Sequence, residues 1–208
     1  MTTAICFDCD GTLIRFEHSY GEILTEVFET ELGGASDEFL EVYDETFFAA
    51  FDALEPAPVE TAMAAVLDAA DGESETDPAA MAETLLAVEK DATTVPEGTH
   101  ESLQALGESN RLAVITNGVG EWQAAKLAHH DLLEYFETVV TSYEVGGHKP
   151  DAAPFEEAKR RLDAAEYVMV GDDYEADVEG GRAAGFVPVH VEDDEDKTAF
   201  WATLRAMV

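Results

Sequence analysis

From about residue 97 onward, short apolar runs alternate with amphipathic stretches, and this alternation narrows the possible folds of the 208-residue chain more than any other feature. A helical stripe over 97–106 precedes the apolar run 112–115. A helix after Gly120 leads to the run 138–141. A third helix over 151–162 leads to 167–170, and a fourth over 176–184 leads to 187–191. Repeated strand–helix units of this kind imply a parallel sheet with helices on both faces. In such sheets, ligands bind beyond the carboxyl ends of the strands. The chain opens on one more apolar run, Ala4 to Phe7, which supplies a further strand.

Between that first run and the alternating part, residues 16–92 read as helical. Leu40, Tyr43, Phe47, Phe51 and Leu54 are spaced by three or four, as one face of a helix requires. Pro56 and Pro58 break the pattern. Met63, Val66 and Leu67 form a second stripe, closed by Asp71-Gly72. Asp77-Pro78 pairs an N-cap residue with proline at the first helical position and opens a helix through Leu85 and Val88. The expected organisation is an α/β, Rossmann-like parallel-sheet core over 1–14 and 93–208, with an all-helical insertion of about four helices over 15–92.

Charge is the second constraint. Forty-six acidic residues against eleven basic ones give a formal net charge of −35. The acids are spread along the chain, as on a solvated surface, rather than gathered into an interaction arm. Self-repulsion at this charge destabilises a fold in dilute buffer and is largely screened at about 1 M salt, where the Debye length is about 3 Å. The chain reads as the protein of a halophile. Nucleic-acid binding is excluded by the lack of a basic stripe. No segment has the length of a transmembrane helix, and the start lacks a basic n-region, so the expectation is a soluble cytoplasmic protein with no membrane partner. The acidic run 192–196 lacks the spacing and glycine of a calcium loop and reads as a solvated loop. Cys6 and Cys9 form a C-x-x-C, but in an extended strand their Cα atoms stand roughly 10 Å apart, too far for a disulfide. They read as core thiols.

Chemistry concentrates where the predicted strands end. Asp8 and Asp10 stand at the end of the first run, and because residues two apart in a strand point to the same side, both face one pocket. Gly11 then lets the backbone turn away. Thr116-Asn117-Gly118 follows the run 112–115 and offers a hydroxyl and N–H groups at a helix start. Lys149-Pro150 lies a short loop beyond 138–141, and Gly171-Asp172-Asp173 closes 167–170, with Asp177 in the next helix. Lys149 is one of only five lysines in a chain depleted of them, which marks it as needed. Carboxylates, a hydroxyl and a lysine at one sheet edge suit a small charged group and a hard cation.

These segments resemble the motifs of the haloacid dehalogenase superfamily of phosphohydrolases, in the subfamily with a helical cap inserted after the first motif. Asp8-x-Asp10-Gly11-Thr12, Thr116-Asn117-Gly118, Lys149-Pro150-Asp151 and Gly171-Asp172-x4-Asp177 are similar to its four motifs, in the same order. Ser142-x-Glu144-x-Gly146, Phe155 and Arg182-x-x-Gly185 also match the surrounding pattern. The resemblance covers 1–14 and 93–191; residues 15–92 match in position, size and helical character only.

The resemblance implies a Mg²⁺-dependent phosphatase acting on a small phosphorylated metabolite. Asp8 would attack phosphorus, and Asp10 would protonate the leaving group and then activate water. Mg²⁺ would be held by the carboxylates of Asp8 and Asp172 and the backbone carbonyl of Asp10. Asp177 would stand behind the metal or orient Lys149. Asp173 is either a second candidate there or simply an acid at a helix N-terminus. Thr116, the Asn117 amide and Lys149 would bind phosphate oxygens. Dehalogenases of the superfamily typically lack an aspartate at the position of Asp10, so phosphoryl chemistry is favoured. A phosphomutase is the alternative, and a non-catalytic binding relative is a third reading. The cap would choose the leaving group: Arg15 or His18 anchors a second anion, or Arg15 pairs with Glu17 or Glu22. Tyr20 and Phe16 line the pocket or form cap core. His129, His130 and His148 read as structural or surface residues. The aromatic stripe Tyr43 to Phe51 leaves monomer and homodimer both open.

The charge distribution makes one prediction. The melting temperature should rise steeply with KCl from about 0.01 M, where the Debye length is about 30 Å, to above about 1 M, followed by circular dichroism. A salt-independent melting temperature would refute the assignment of the acidic surface to a salt-rich solvent.

Overall fold

The structure, a computed structural model, describes residues 2–70, 76–192 and 197–207. The expectations for Asp71-Gly72 and for most of the acidic run 192–196 lie outside those residues. The first elements are β1 (Thr3–Phe7), β2 (Arg15–Phe16), α1 (Tyr20–Leu32), α2 (Asp37–Asp52), α3 (Pro58–Ala69), α4 (Pro78–Asp91) and β3 (Thr93–Thr94). There follow α5 (Thr99–Gly107), β4 (Arg111–Thr116), α6 (Gly120–His129), β5 (Thr138–Thr141), α7 (Ser142–Val145) and α8 (Ala152–Arg161). The last are β6 (Glu166–Gly171), α9 (Gly180–Ala183), β7 (Val187–His190) and α10 (Lys197–Met207). The chain divides into two compact units, residues 1–15 with 94–208 and residues 16–93. The crossings lie in β2 and β3, which pair with each other.

The larger unit is a five-stranded parallel sheet in the order β5-β4-β1-β6-β7. The three central strands, β4, β1 and β6, are buried on both faces, which is why they read as continuous apolar runs rather than alternating ones. Ile5, Phe7, Leu112, Val114, Val168 and Val170 point to one face, with Leu103 and Leu106 of α5 and Phe200, Trp201 and Leu204 of α10. Ala4, Cys6, Ala113, Ile115 and Met169 point to the other, against Phe155, Ala158 and Leu162. Helix α10 was not anticipated, although Phe200, Trp201 and Leu204 are spaced to share a helical face. The stretch expected as one helix over 176–184 is instead a π-helical turn, Tyr174–Glu179, running into α9.

The smaller unit is four helices. Ser19 caps α1 in a reciprocal capping box with Glu22, and Ser36 caps α2. Asp77 caps α4 ahead of Pro78, as its sequence predicts. Ile23, Leu24, Val27 and Phe28 of α1, Tyr43 of α2, Met63 and Val66 of α3, and Met81 and Leu85 of α4 are buried. The expected stripe on α2 forms an aromatic stack, with Tyr43 and Phe47 rings 5.7 Å apart and Phe47 and Phe51 rings 5.4 Å apart. Among the described residues, no helix is long and apolar enough to cross a membrane.

Two predictions follow from this packing. Trp201 lies 5.9 Å from Phe7 and 5.3 Å from Phe200, ring to ring, so Trp201→Ala should cost about 3–5 kcal/mol of unfolding free energy in molar KCl. A loss under about 1 kcal/mol would mean that α10 is not part of the core. Cys6 and Cys9 are both free and fully buried. Burial pushes the Cys6 thiol up to about 12, and burial followed by the Asp10 charge raises that of Cys9 as well. Neither should react with a disulfide reagent until guanidinium unfolds the chain, and rapid labelling of native protein would contradict that.

Candidate active site

β1 is in register with both its neighbours, Phe7 opposite Val114 of β4 and opposite Val170 of β6. The residues that leave these three strands therefore emerge at one level. They enclose a cavity of about 190 Å³ lined by Asp8, Asp10, Thr116, Asn117, Lys149, Asp172, Asp173 and Ala176. That is smaller than the about 300–1,000 Å³ of a typical organic-ligand pocket and suits a single small charged group.

Asp8 and Asp10 both line the cavity, but, contrary to the expectation from sequence, strand alternation is not the reason. β1 ends at Phe7, and only the Asp8 N–H continues the ladder, donating to the Val170 carbonyl at 2.8 Å. The chain then turns on itself. Leu13 and Ile14 N–H both donate to the Cys9 carbonyl, at 2.9 and 3.1 Å, and Gly11 N–H donates to Ile14 at 2.8 Å. It is this turn that presents Asp10. Gly11 sits at φ 85°, and a Cβ there would fall 2.2 Å from Asp172 Oδ2. Glycine thus meets both the backbone requirement and the close approach of the first and fourth motifs.

Lys149 is the electrostatic centre. Its buried Nζ donates to Asp8 Oδ1 at 2.7 Å, to Asp177 Oδ1 at 2.6 Å and to the Ile115 carbonyl at 2.9 Å. Burial alone lowers the pKa of the ammonium, but Asp8 and Asp177 outweigh it and hold the group above the usual lysine value. Burial pushes the Asp177 carboxyl well above the usual carboxylate range, against the pull of Lys149. Asp172 is raised too, by burial and then by the Asp8 charge, with the Thr12 hydroxyl opposing. The oxygens of Asp8, Asp172 and Asp177 lie within 4.8 Å of one another. Gly171 makes the crowding possible, since a Cβ there would fall 2.0 Å from Asp177 Oδ2.

The supporting bonds were not legible beforehand. Thr12 Oγ1 donates to Asp172 Oδ1 at 2.7 Å and orients that carboxylate. The Asn117 side chain accepts from Lys149 N–H at 2.8 Å and donates to the Lys149 carbonyl at 3.0 Å, stitching the end of β4 to the lysine's loop. Gly118 N–H donates to Ser142 Oγ at 2.9 Å. Asp173 accepts from Ala176 N–H at 2.9 Å, so it is a helix cap as well as part of the lining. Asp177 has both oxygens engaged, Oδ2 accepting from Asp173 N–H at 3.2 Å.

Of the residues expected near the leaving group, Arg15 is half-buried in β2 and does not appear among the residues lining this cavity, and His18 is exposed. Tyr20 belongs to the interior of the helical unit, where its hydroxyl donates to buried Glu89 at 2.7 Å and its ring lies 6.5 Å from that of Tyr43. The Phe16 ring packs edge-on against Tyr20 at 6.1 Å. His129 and His130 contact each other, ring to ring, at the end of α6. His148 packs against Tyr143.

Two site residues escaped the sequence reading. Lys126 Nζ reaches both oxygens of Asp10, at 2.6 and 2.8 Å, and Gln123 Nε2 donates to Asp10 Oδ2 at 2.9 Å. Lysine scarcity would have pointed to Lys126 as it did to Lys149, since Lys126 stands among Ala124, Ala125, Leu127 and Ala128.

Comparison with known proteins gives a consistent family. The haloacid dehalogenase-like hydrolases match residues 2–185. A ribulose-1,5-bisphosphate 5-phosphatase of Halopiger xanaduensis is 39% identical over 109 residues, 51% of this chain and 46% of that one. A glyceraldehyde 3-phosphate phosphatase of Methanothermobacter thermautotrophicus is 36% identical over 101 residues, 48% of this chain and 45% of that one. The chain thus spans about half the length of the curated relatives it matches. Among solved structures, a phosphatase of Thermococcus onnurineus superposes with a TM-score of 0.67 at 26% identity, covering 94% of this chain and 88% of that one.

Proposed function

This chain belongs to the haloacid dehalogenase-like hydrolase family, and from that membership we propose that it is a Mg²⁺-dependent phosphatase that cleaves a small phosphomonoester through an aspartyl-phosphate on Asp8. The observation that carries this reading is one ammonium, Lys149, bonded to both Asp8 and Asp177 at the edge of a small cavity that Asp172 also lines. The phosphatase names of the relatives support it.

The donor set suits a hard divalent cation. It is all oxygen, and three carboxylates face a single ammonium, leaving a negative excess. The carboxylates of Asp8 and Asp172 and the Asp10 carbonyl would hold Mg²⁺, with Asp177 behind them keeping Lys149 in place. When bound, the cation offsets the repulsion between an anionic nucleophile and a dianionic ester.

An Asp8 oxygen attacks phosphorus as the bond to the leaving oxygen breaks, and Asp10 supplies that oxygen with a proton. Asp10 then takes a proton from the water that attacks phosphorus, and the Asp8 carboxylate is released with inorganic phosphate. Lys149, the Thr116 hydroxyl and the Asn117 N–H hold the phosphoryl oxygens as charge builds on them. The helical unit governs the choice of leaving group, with Arg15 a candidate anchor for a second anion. A cytoplasmic location is consistent with the fold and the charge.

Turnover of p-nitrophenyl phosphate in molar KCl tests the reading. Wild type should require Mg²⁺ and lose activity in EDTA, and Asp8→Asn should lower kcat by about 10⁴-fold or more while the fold is retained. Hydrolysis that survives Asp8→Asn or EDTA would overturn it. Isomerisation of a sugar phosphate with little free phosphate would instead identify a phosphomutase.

A further inference from the structure

The bonds of the Lys149 ammonium go to Asp8, Asp177 and the Ile115 carbonyl, and none of them reaches Asp10. Asp10 has a different cation. Gln123 and Lys126 stand three residues apart on α6, hence on one face of the helix, and both are buried. Their three bonds, 2.6 to 2.9 Å long, grip both oxygens of a carboxylate that is itself 32% exposed and carried by a turn rather than a strand.

We propose that Lys126, with Gln123, is the positioning pair of Asp10: a buried clamp on α6 that fixes the Asp10 carboxylate against the phosphoryl site. The proposal rests on the phosphatase reading above, in which Asp10 carries the proton. Burying an ammonium is costly, and this chain keeps only five lysines, so one placed under the second aspartate of the first motif calls for a reason beyond surface charge. The second motif is shaped to admit the clamp. A Cβ on Gly118 would fall 2.7 Å from Gln123 Nε2, and the amide could yield only by leaving Asp10. A side chain on a turn without such bonds loses orientation, and general-base efficiency depends on that orientation.

The two half-reactions separate a positioning role from a merely structural one. With p-nitrophenyl phosphate, the first step forms the bond between an Asp8 oxygen and phosphorus and breaks the bond to p-nitrophenolate, which leaves with its electron pair and needs no proton. In the second step water attacks phosphorus, its proton passes to Asp10, and the Asp8–phosphate bond breaks. Misplacing Asp10 therefore slows the second step alone.

Stopped-flow measurement of p-nitrophenolate release with the Mg²⁺-loaded full chain, in molar KCl, reads both steps. Lys126→Met should raise the ratio of the burst rate to the steady-state rate by about tenfold or more. Lys126→Arg, which can still grip both oxygens, should return it toward wild type, and Gln123→Leu should give a smaller rise in the same direction. An unchanged ratio in Lys126→Met, whether the two rates fall together or stay put, would overturn the proposal. Should Lys126→Met fail to fold, Gln123→Leu decides, and an unchanged ratio there overturns the clamp. A wild type that turns over nothing would sink the phosphatase reading itself, so the two failures are distinct.

Discussion

Everything at the carboxyl edge of this sheet answers to the repulsion among its carboxylates. Asp8, Asp10, Asp172 and Asp173 line one cavity of about 190 Å³, with Asp177 buried directly behind it. Two unit charges 4 Å apart interact by about 4 kcal/mol at an effective dielectric constant of 20, so several like charges here would open the loops that carry them. Two buried lysines prevent this, each assigned to one aspartate of the first motif: Lys149 to Asp8 and Lys126 to Asp10. Three carboxylates still stand around one ammonium, and that remaining negative excess suits a hard cation.

The parallel sheet supplies the register that makes this balance possible. Because Phe7, Val114 and Val170 stand level, the aspartate after β1, the threonine ending β4 and the aspartate after β6 arrive together without any long loop. Short side-chain bonds then remove the freedom that is left. Thr12 holds Asp172, Asn117 grips the backbone on both sides of Lys149, and Asp173 caps the turn that delivers Asp177. Each of these residues lies inside or beside a motif, so the motifs carry the bonds that orient the site as well as its ionisable groups.

How much was legible from sequence follows from the kind of signal each feature leaves. The strands that lead into Asp8, Thr116 and Asp172 were visible because a doubly buried strand is an uninterrupted apolar run closed by polar residues. Lys149 was visible through its scarcity. Asp10 lines the cavity, but a turn anchored on the Cys9 carbonyl presents it, and strand alternation does not. Lys126 and Gln123 were missed because helical spacing shows which residues share a face but not which face meets the site. Helix α10 was missed although Phe200, Trp201 and Leu204 carry a helical pattern, because it follows the last strand and lies outside every motif. The placing of Tyr20 in the helical interior turned on buried Glu89, 69 residues away in the chain, a contact that no local pattern encodes.

The acidic composition, at first the feature most likely to confuse a search for functional carboxylates, becomes informative once its physics is separated by depth. Surface charge is tuned by solvent, since mobile ions screen exposed groups within a few ångströms at high salt. Buried charge is not, because no ions reach it, and its balance must be covalently built into the chain. A lysine on the surface of such a protein is therefore readily replaced, whereas one beneath a motif aspartate is not. Of the five lysines, Lys126 and Lys149 are buried against carboxylates, and Lys159 holds its ammonium over the Tyr167 and Phe186 rings while donating to the Ala184 carbonyl. In a chain of this composition, the rare cation is a better guide to the site than the abundant anion.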